Sequence, residues 1–208
     1  MQTGPDFREV HELDGRKIVL RHIQPEDAAE LRRGFLALSP ESRYRRFFCA
    51  PTELDDKTLD YLTRVDGRDH VAIVATTESL DLKTERGVGV ARFVRSKRDP
   101  AVAEAAITVV DDMQKHGIGT LLGHALSRAA RERGIDRFRC EVLESNRAVV
   151  SALRELGAKE VDRGEGTVVL DVPVPADGLH LVSRALHVVG EHLNAFLRRL
   201  APPAEEEA

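Results

Sequence analysis

The sequence has few cysteines, the residues that form the disulfides of secreted proteins and many structural metal sites. Its 208 residues include only two cysteines, Cys49 and Cys140. Two cysteines so far apart are too few for a disulfide framework and lack the spacing of a zinc knuckle. The eight histidines are scattered without ligand spacing to Cys, Asp or Glu, so we expect no metal site. The scarcity of cysteine predicts a reduced, cytoplasmic setting.

Long apolar runs and an excess of one charge are missing as well. Residues 71–75 form one of the longest apolar runs, far below the roughly 20 residues of a membrane helix. The opening residues MQTGPDFREV contain no apolar core flanked by basic residues, so no signal peptide is expected. Lys and Arg number 31 against 35 Asp and Glu, a net charge of −4. We therefore expect neither a membrane nor nucleic acid as partner.

What the sequence does contain is an alternation of strand-like and helix-like segments, with 42% apolar residues to form a core. The dipeptide Asp14-Gly15 between two strand-like runs predicts a hairpin. The predicted strands are residues 7–13, 17–23, 70–76, 87–94, 103–110, 137–143 and 167–172. The predicted helices are residues 25–38, a short one reaching 48, 54–64, 117–133 and 146–156.

Residues 1–172 are predicted to form one domain, followed by a linker over residues 173–178 that contains two prolines and a glycine. Apolar residues spaced 3-4-3-4 then predict an amphipathic helix over residues 179–200. The helix packs either on its own domain or across a homodimer, and the sequence leaves both open. The tail over residues 201–208 is predicted to be disordered.

The stretch from residue 103 to 122 reads as a strand, a short polar loop, two glycines and a helix. Gly117 and Gly119 let the backbone approach a ligand closely, and their N–H groups belong to the first helical turn, which extends through Thr120. The positive end of the helix dipole favours an anion there. Lys115 and His116 would add charge at its rim. The loop is thus predicted to be a phosphate cradle.

The spacing of the glycines distinguishes between the known nucleotide-binding motifs. A dinucleotide fingerprint needs a third glycine where Leu122 stands, and a P-loop needs Gly-Lys-Ser/Thr. The chain instead has Gln-x-x-Gly-x-Gly from Gln114, five residues after Val109. This pattern resembles motif A of the GNAT superfamily of N-acetyltransferases, in which loop amides hold the pyrophosphate of acetyl-coenzyme A.

The resemblance covers roughly residues 18–172 and implies a GNAT fold, an α/β (mixed α+β) architecture. Its mostly antiparallel mixed sheet of about seven strands is flanked by helices, with the C-terminal helix added. It further implies that backbone groups of Ile107, Val109 and Val110 bind the thioester, and that Asn146 lies beside the pantetheine arm. The residue-based alternative for Asn146 is a helix cap. The family usually carries a tyrosine as general acid where this chain has Leu153.

Glu104 is the candidate general base, because amine acetylation requires a group that removes a proton from the ammonium. It lies on the strand that leads into motif A, among small apolar residues. Bacterial protein-lysine acetyltransferase domains resemble this segment and have a glutamate in the same register. A solvent-facing glutamate at the start of a strand is the plain alternative.

Residues 38–48, Leu-Ser-Pro-Glu-Ser-Arg-Tyr-Arg-Arg-Phe-Phe, also resemble a helix of those protein-lysine acetyltransferases. The sequence therefore predicts an acetyl-CoA-dependent N-acetyltransferase that acts on a primary amine, with protein lysine favoured. A small-molecule amine acetyltransferase is one alternative. A catalytically silent acyl-CoA-binding module is another, left open by Leu153 and by Ala158 where the family often has phenylalanine.

Overall fold

One mixed sheet of eight strands organises the described part of the chain. The structure is a computed structural model and describes residues 3–4, 6–39, 53–78, 85–164 and 166–174. The strands are β1 (Arg8–Leu13), β2 (Arg16–His22), β3 (His70–Glu78), β4 (Glu85–Arg95), β5 (Val102–Val109), β6 (Arg137–Leu143), β7 (Lys159–Gly164) and β8 (Thr167–Pro173). Their order is β1-β2-β3-β4-β5-β6-β8-β7. Every neighbouring pair is antiparallel except β5 and β6, which are parallel.

Four α-helices flank this sheet within the described ranges. They are α1 (Ala28–Ala37), α2 (Asp56–Thr63), α3 (Ile118–Glu132) and α4 (Arg147–Glu155), with short 3₁₀ turns at Pro25–Asp27 and Asp111–Met113. α3 buries its apolar side against β3, β4 and β5 in the larger core. α1 and α2 pack on the opposite face. Side chains of α4 pack against β6 and β8, and Phe138 joins this cluster to the larger core. α3 and α4 therefore share one face of the sheet.

Local signals explain where several elements begin and end. Asp14 and Gly15 have φ angles of 50° and 70°, the left-handed conformation that a tight two-residue hairpin turn requires. The Asp55 carboxylate accepts a hydrogen bond from the Thr58 N–H at 2.7 Å and caps α2. The sequence patterns thus place these boundaries within one or two residues.

The sheet has one strand more than the seven predicted. β7 pairs with β8 at the sheet edge, and all six of its residues are exposed. Because none of them is buried, the strand carries no apolar alternation by which the sequence could reveal it. β8 extends through Pro173, and the Val174 N–H donates to the Asp136 carbonyl at 2.8 Å, so the domain reaches into the predicted linker.

Several predicted elements lie outside the described residues. These are the short helix that reaches residue 48, with its three arginines, the amphipathic helix over residues 179–200, and the tail over residues 201–208. The homodimer hypothesis rests on the second of these and stays a prediction.

Candidate active site

A gap opens between β5 and β6 in the middle of the sheet. The register of the two parallel strands pairs only residues 102–104 of β5 with residues 137–139 of β6. On its other side, β5 stays paired with β4 from Ala103 to Val109. Beyond Glu104, therefore, one edge of β5 has no strand partner among the described residues. Backbone groups along that edge are left for a ligand that adds to the sheet.

Strand alternation decides which amides face this gap. The Val110 N–H donates to the Val88 carbonyl of β4 at 3.0 Å, so it points away from the gap. Alternate residues of a strand direct their backbone groups to the same side. Ile107 and Val109 therefore direct their N–H groups into the gap. Of the three backbone positions predicted to bind the thioester, Val110 does not offer its N–H there, because that N–H belongs to the β4 pairing.

The loop after β5 turns into α3 with two left-handed residues. Lys115 has a φ of 65° and Gly117, the N-cap of α3, a φ of 84°. The first hydrogen bond of the helix runs from the Leu121 N–H to the Gly117 carbonyl at 3.1 Å. Helix geometry thus leaves the N–H groups of Ile118, Gly119 and Thr120 without an acceptor in the helix. These three N–H groups lie where the sequence predicts the anion cradle, at the positive end of a 15-residue helix, and Ile118 is added to the residues predicted there.

Neighbouring side chains hold this loop in shape. The Gln114 amide donates to the Val109 carbonyl at 3.2 Å and to the Asp111 carboxylate at 2.9 Å. Arg86 of β4 donates twice to the Asp112 carboxylate, at 2.8 Å each, and this pair holds the pKa of Asp112 below its usual value. Gln114 therefore braces the loop through its side chain.

The rim of the cradle is formed by Lys115 and His116, both exposed. The His116 ring nitrogen Nδ1 lies 2.7 Å from the Asp14 carboxylate at the tip of the β1–β2 hairpin. Leu13 of that hairpin lies close to Gly117, where an added Cβ would be 3.7 Å from its methyl groups. The hairpin tip thus packs against the cradle and fixes its outer side.

Asn146 lies at the start of α4, on the same side of the sheet as the cradle. It is the N-cap residue and its N–H donates to the Leu143 carbonyl at 2.9 Å, but its side chain makes no capping hydrogen bond. The capping alternative therefore does not account for this half-buried side chain. Leu153 of the same helix is 2% exposed and packs in the core between α4, β6 and β8. It stands at the position where the resemblance implies a tyrosine.

Glu104 stands at the point where β5 and β6 separate. It is the last β5 residue paired with β6, opposite Arg139, and it is half-buried. Arg139 in turn donates twice to Asp171 of β8, at 2.7 Å each. The pKa of Arg139 is raised, first by its hydrogen bond to Asp171 and also by the negative charge of Glu104. The three side chains form a charged row across β5, β6 and β8.

Arg139 and Asp171 were not among the sequence-predicted site residues. The available signal is Asp171 itself, a carboxylate within the buried apolar strand TVVLDVP. A buried carboxylate requires a partner, so its presence predicts an ion pair without naming the cation. Only the strand register shows that the partner is Arg139 and that Glu104 lies next to it.

The described thiol does not offer a covalent route. Cys140 is buried, and burial raises its pKa to about 12, so the thiol stays protonated at neutral pH. Across the described ranges, no group of three or more His, Cys, Asp or Glu side chains is arranged to hold a metal ion. No helix in the same ranges is long and apolar enough to cross a membrane.

Comparison with known proteins identifies a family and several relatives. Residues 17–159 match the family described as "Acetyltransferase (GNAT) domain". The chain is 37% identical over 163 residues to the acetyltransferase Pat of Mycolicibacterium smegmatis, a match that covers 77% of the chain. The same match covers 47% of that protein, so the chain spans about half the length of Pat.

A second curated relative is the acetyltransferase PA5475 of Pseudomonas aeruginosa, 30% identical over 145 residues. That match covers 69% of the chain and 76% of the relative. Among solved structures, the GNAT domain of S. lividans PAT superposes with a TM-score of 0.68 at 28% sequence identity. The superposition covers 80% of this chain and 96% of that domain.

Proposed function

This chain belongs to the GNAT acetyltransferase family, and from that premise we propose that it transfers the acetyl group of acetyl-CoA to a protein lysine, with Glu104 as general base. The observation that carries the proposal is the position of Glu104 where β5 and β6 separate, in the same strand that leads into the cradle. The base and the backbone donors are thereby held on one rigid element of the sheet.

The cradle and the gap provide the binding site for acetyl-CoA. The N–H groups of Ile118, Gly119 and Thr120 receive the pyrophosphate, and the exposed Lys115 and His116 flank it. The pantetheine arm then lies along the free edge of β5, between α3 and α4, with Asn146 beside it. Together these contacts place the thioester in line with Ile107 and Val109, and this positioning supplies much of the rate.

The chemistry is direct transfer between the two substrates. Glu104 takes a proton from the lysine ammonium, and the neutral amine attacks the thioester carbonyl carbon. The N–H group of Ile107 or Val109 stabilises the oxyanion that develops. The C–N bond forms, the C–S bond breaks, and coenzyme A leaves as a thiolate, while the nitrogen loses its second proton to solvent to give the neutral amide and Glu104 later releases the first. Because Leu153 supplies no proton, the thiolate takes its proton from solvent.

Protein lysine as the acceptor rests on sequence resemblance. Residues 38–48 and the register of Glu104 are similar to those of bacterial protein-lysine acetyltransferases. The similarity to Pat and to the S. lividans PAT domain agrees with that choice.

The first test replaces Glu104 with glutamine, which keeps the shape of the side chain and removes the base. We expect acetyl-CoA to raise the melting temperature of Glu104→Gln as much as that of the wild type. The rate of free-thiol release with a lysine-containing protein should fall roughly 10²–10⁴-fold at neutral pH, because general base catalysis is lost.

Glu141→Gln is the matched control, since Glu141 lies on the neighbouring strand β6 and its carboxylate accepts a hydrogen bond from Thr167 at 3.1 Å. This variant should keep both binding and turnover. Full activity of Glu104→Gln would remove Glu104 from the mechanism. A wild type that binds acetyl-CoA but releases no thiol with proteins or amines would identify a silent binding module instead.

A further inference from the structure

A cavity lies on the face of the sheet opposite α3. Its volume is about 100 Å³, and it opens to solvent between α1 and strands β2 to β5. None of the described lining residues belongs to the cradle loop, α3 or α4. Most of the wall is apolar and includes Ile23, Leu31, Phe35, Val74, Val90 and Val110. The cavity is therefore separate from the proposed coenzyme A site and suits a ligand with an apolar body.

The charged side chains near the mouth of this cavity are already paired. Arg21 lies 2.7 Å from Asp27, and Glu85 lies 3.6 Å from Arg21. Glu30 lies 2.6 Å from Arg33 and also accepts a hydrogen bond from the Gly87 N–H at 2.7 Å. Glu85 also lies 3.6 Å from Arg8, so each of these three carboxylates has an arginine partner.

Arg92, which also lines the cavity, is different. It is 2% exposed, and no hydrogen bond or ion pair joins it to a carboxylate of the described residues. Its Nη1 donates to the His70 ring at 3.1 Å and its Nη2 to the Leu62 carbonyl at 3.2 Å, both neutral acceptors. Its Nε is buried without a hydrogen-bond partner in the described part of the chain. Burial lowers the pKa of Arg92 to about 10, so the group is still positively charged at neutral pH.

A buried positive charge without an opposite charge costs free energy, because it has left water without compensation. A carboxylate supplies that compensation and accepts hydrogen bonds from a guanidinium in a matching geometry. An ammonium ligand would instead meet a like charge. The positive charge of Arg92 therefore favours a ligand with a carboxylate, and the apolar wall favours a ligand with an apolar body.

We propose that this cavity binds a small carboxylic acid with an apolar body, its carboxylate on the guanidinium of Arg92 and its body against α1 and β3. The site is independent of the proposed acetyl transfer. It requires neither coenzyme A nor Glu104, so one proposal can fail while the other holds.

The test compares hexanoate with hexan-1-ol by titration calorimetry on the wild-type chain in the absence of coenzyme A. The two probes share the apolar chain and differ in the charged group. We expect hexanoate to bind at least about tenfold more tightly, because a charge-assisted hydrogen bond in a dry site is strong. Acetate, which has the charge without the body, should bind more weakly than hexanoate. Equal affinity of hexanoate and hexan-1-ol, or no binding of hexanoate, would overturn the proposal.

Two variants place the binding in this cavity. Arg92→Met removes the charge, and its affinity for hexanoate should fall to that for hexan-1-ol. Gly34→Leu keeps Arg92 but fills the cavity: a Cβ at Gly34 has room, with its nearest neighbour, Val110 Cγ1, at 3.9 Å, and a longer side chain extends into the empty space. Both probes should lose affinity in this variant. Unchanged hexanoate binding in a folded Gly34→Leu protein would place the ligand elsewhere and overturn the proposal even where Arg92→Met does not fold.

Discussion

At the scale of single residues, backbone conformation distinguishes the cradle from an ordinary strand–helix turn. Gly117 adopts a φ of 84°, a left-handed conformation that is unfavourable for residues with a Cβ atom. Lys115 adopts a φ of 65° without being glycine, so the loop stores conformational strain. Bonds from Arg86 to Asp112 and from Gln114 to Val109 maintain that shape. The amides are thereby oriented before any ligand binds.

Gly117→Ala tests this preorganisation. A Cβ in the left-handed region costs about 1–2 kcal/mol, so the loop is expected to relax and move its amides. We expect the KM for acetyl-CoA to rise with kcat little changed, since binding shared by ground and transition states is lost. Steady-state kinetics with varied acetyl-CoA measure both constants.

Gly134→Ala provides the control for this variant. Gly134 follows α3 with a φ of 73° and has no atom within 4 Å of an added Cβ. The substitution should cost similar stability but leave the KM for acetyl-CoA unchanged. An equal rise of KM in both variants would attribute the effect to general destabilisation.

At the scale of elements, α3 packs closely over Gly89 of β4. A Cβ at Gly89 would lie 2.9 Å from the Leu122 side chain and 2.9 Å from the Thr108 carbonyl oxygen. Contacts this short require the helix or the neighbouring strand to move, because protein interiors are closely packed. The absence of a side chain at Gly89 thus sets the distance between α3 and the strands that carry the gap.

Gly89→Ala is expected to lower the free energy of unfolding by about 1–3 kcal/mol through overpacking. Gly87→Ala on the same strand is the matched control. A Cβ added at Gly87 would lie 3.4 Å from the carboxylate oxygen at the end of the flexible Glu30 side chain, so the loss of unfolding free energy should be small. Urea denaturation of the two variants and the wild type measures the difference, and equal stability of both variants would contradict the packing argument.

The elements also show how far local patterns extend. β5, α3 and β6 follow from their apolar periodicity and glycine boundaries, and their observed bounds differ by a residue or so from the predicted ones. β7 forms because β8 offers it a pairing edge, although all of its residues are exposed. A strand that is stabilised by pairing with its neighbour rather than by its own burial has no apolar alternation from which it could be predicted.

At the scale of the whole molecule, a buried histidine makes folding stability depend on pH. His70 is 8% exposed, lies beside Arg92 and stacks near Tyr61 with ring centroids 5.0 Å apart. Burial and the charge of Arg92 lower its pKa from 6.5 to about 3, while Asp66 opposes the shift. Below pH 6.5 the unfolded chain therefore takes up a proton that the folded chain does not, and the free energy of unfolding decreases as the pH is lowered.

We expect this group to remove on the order of 4 kcal/mol of stability between its unfolded pKa of 6.5 and its folded pKa of about 3. His70→Gln keeps a hydrogen-bond acceptor for Arg92 and does not titrate. Its unfolding free energy should therefore fall less steeply than that of the wild type from pH 6.5 to about 4. His11→Gln on β1 is the control and should follow the wild type. Parallel curves for all three proteins would show that His70 is not the responsible group.

The sequence by itself determined the features that depend on neighbouring residues along the chain. The hairpin at Asp14, the glycines of the cradle and the strand that carries Glu104 all follow from local conformation and periodicity. Only the tertiary structure decided what lies beside them. Parallel pairing that ends at Glu104 opens the gap and places Arg139 opposite the base, and the β4 pairing turns the Val110 amide away. The tertiary structure also buries Arg92 without a negatively charged partner among the described residues. Strand register and burial could not be predicted locally, because both arise from contacts between segments far apart in sequence.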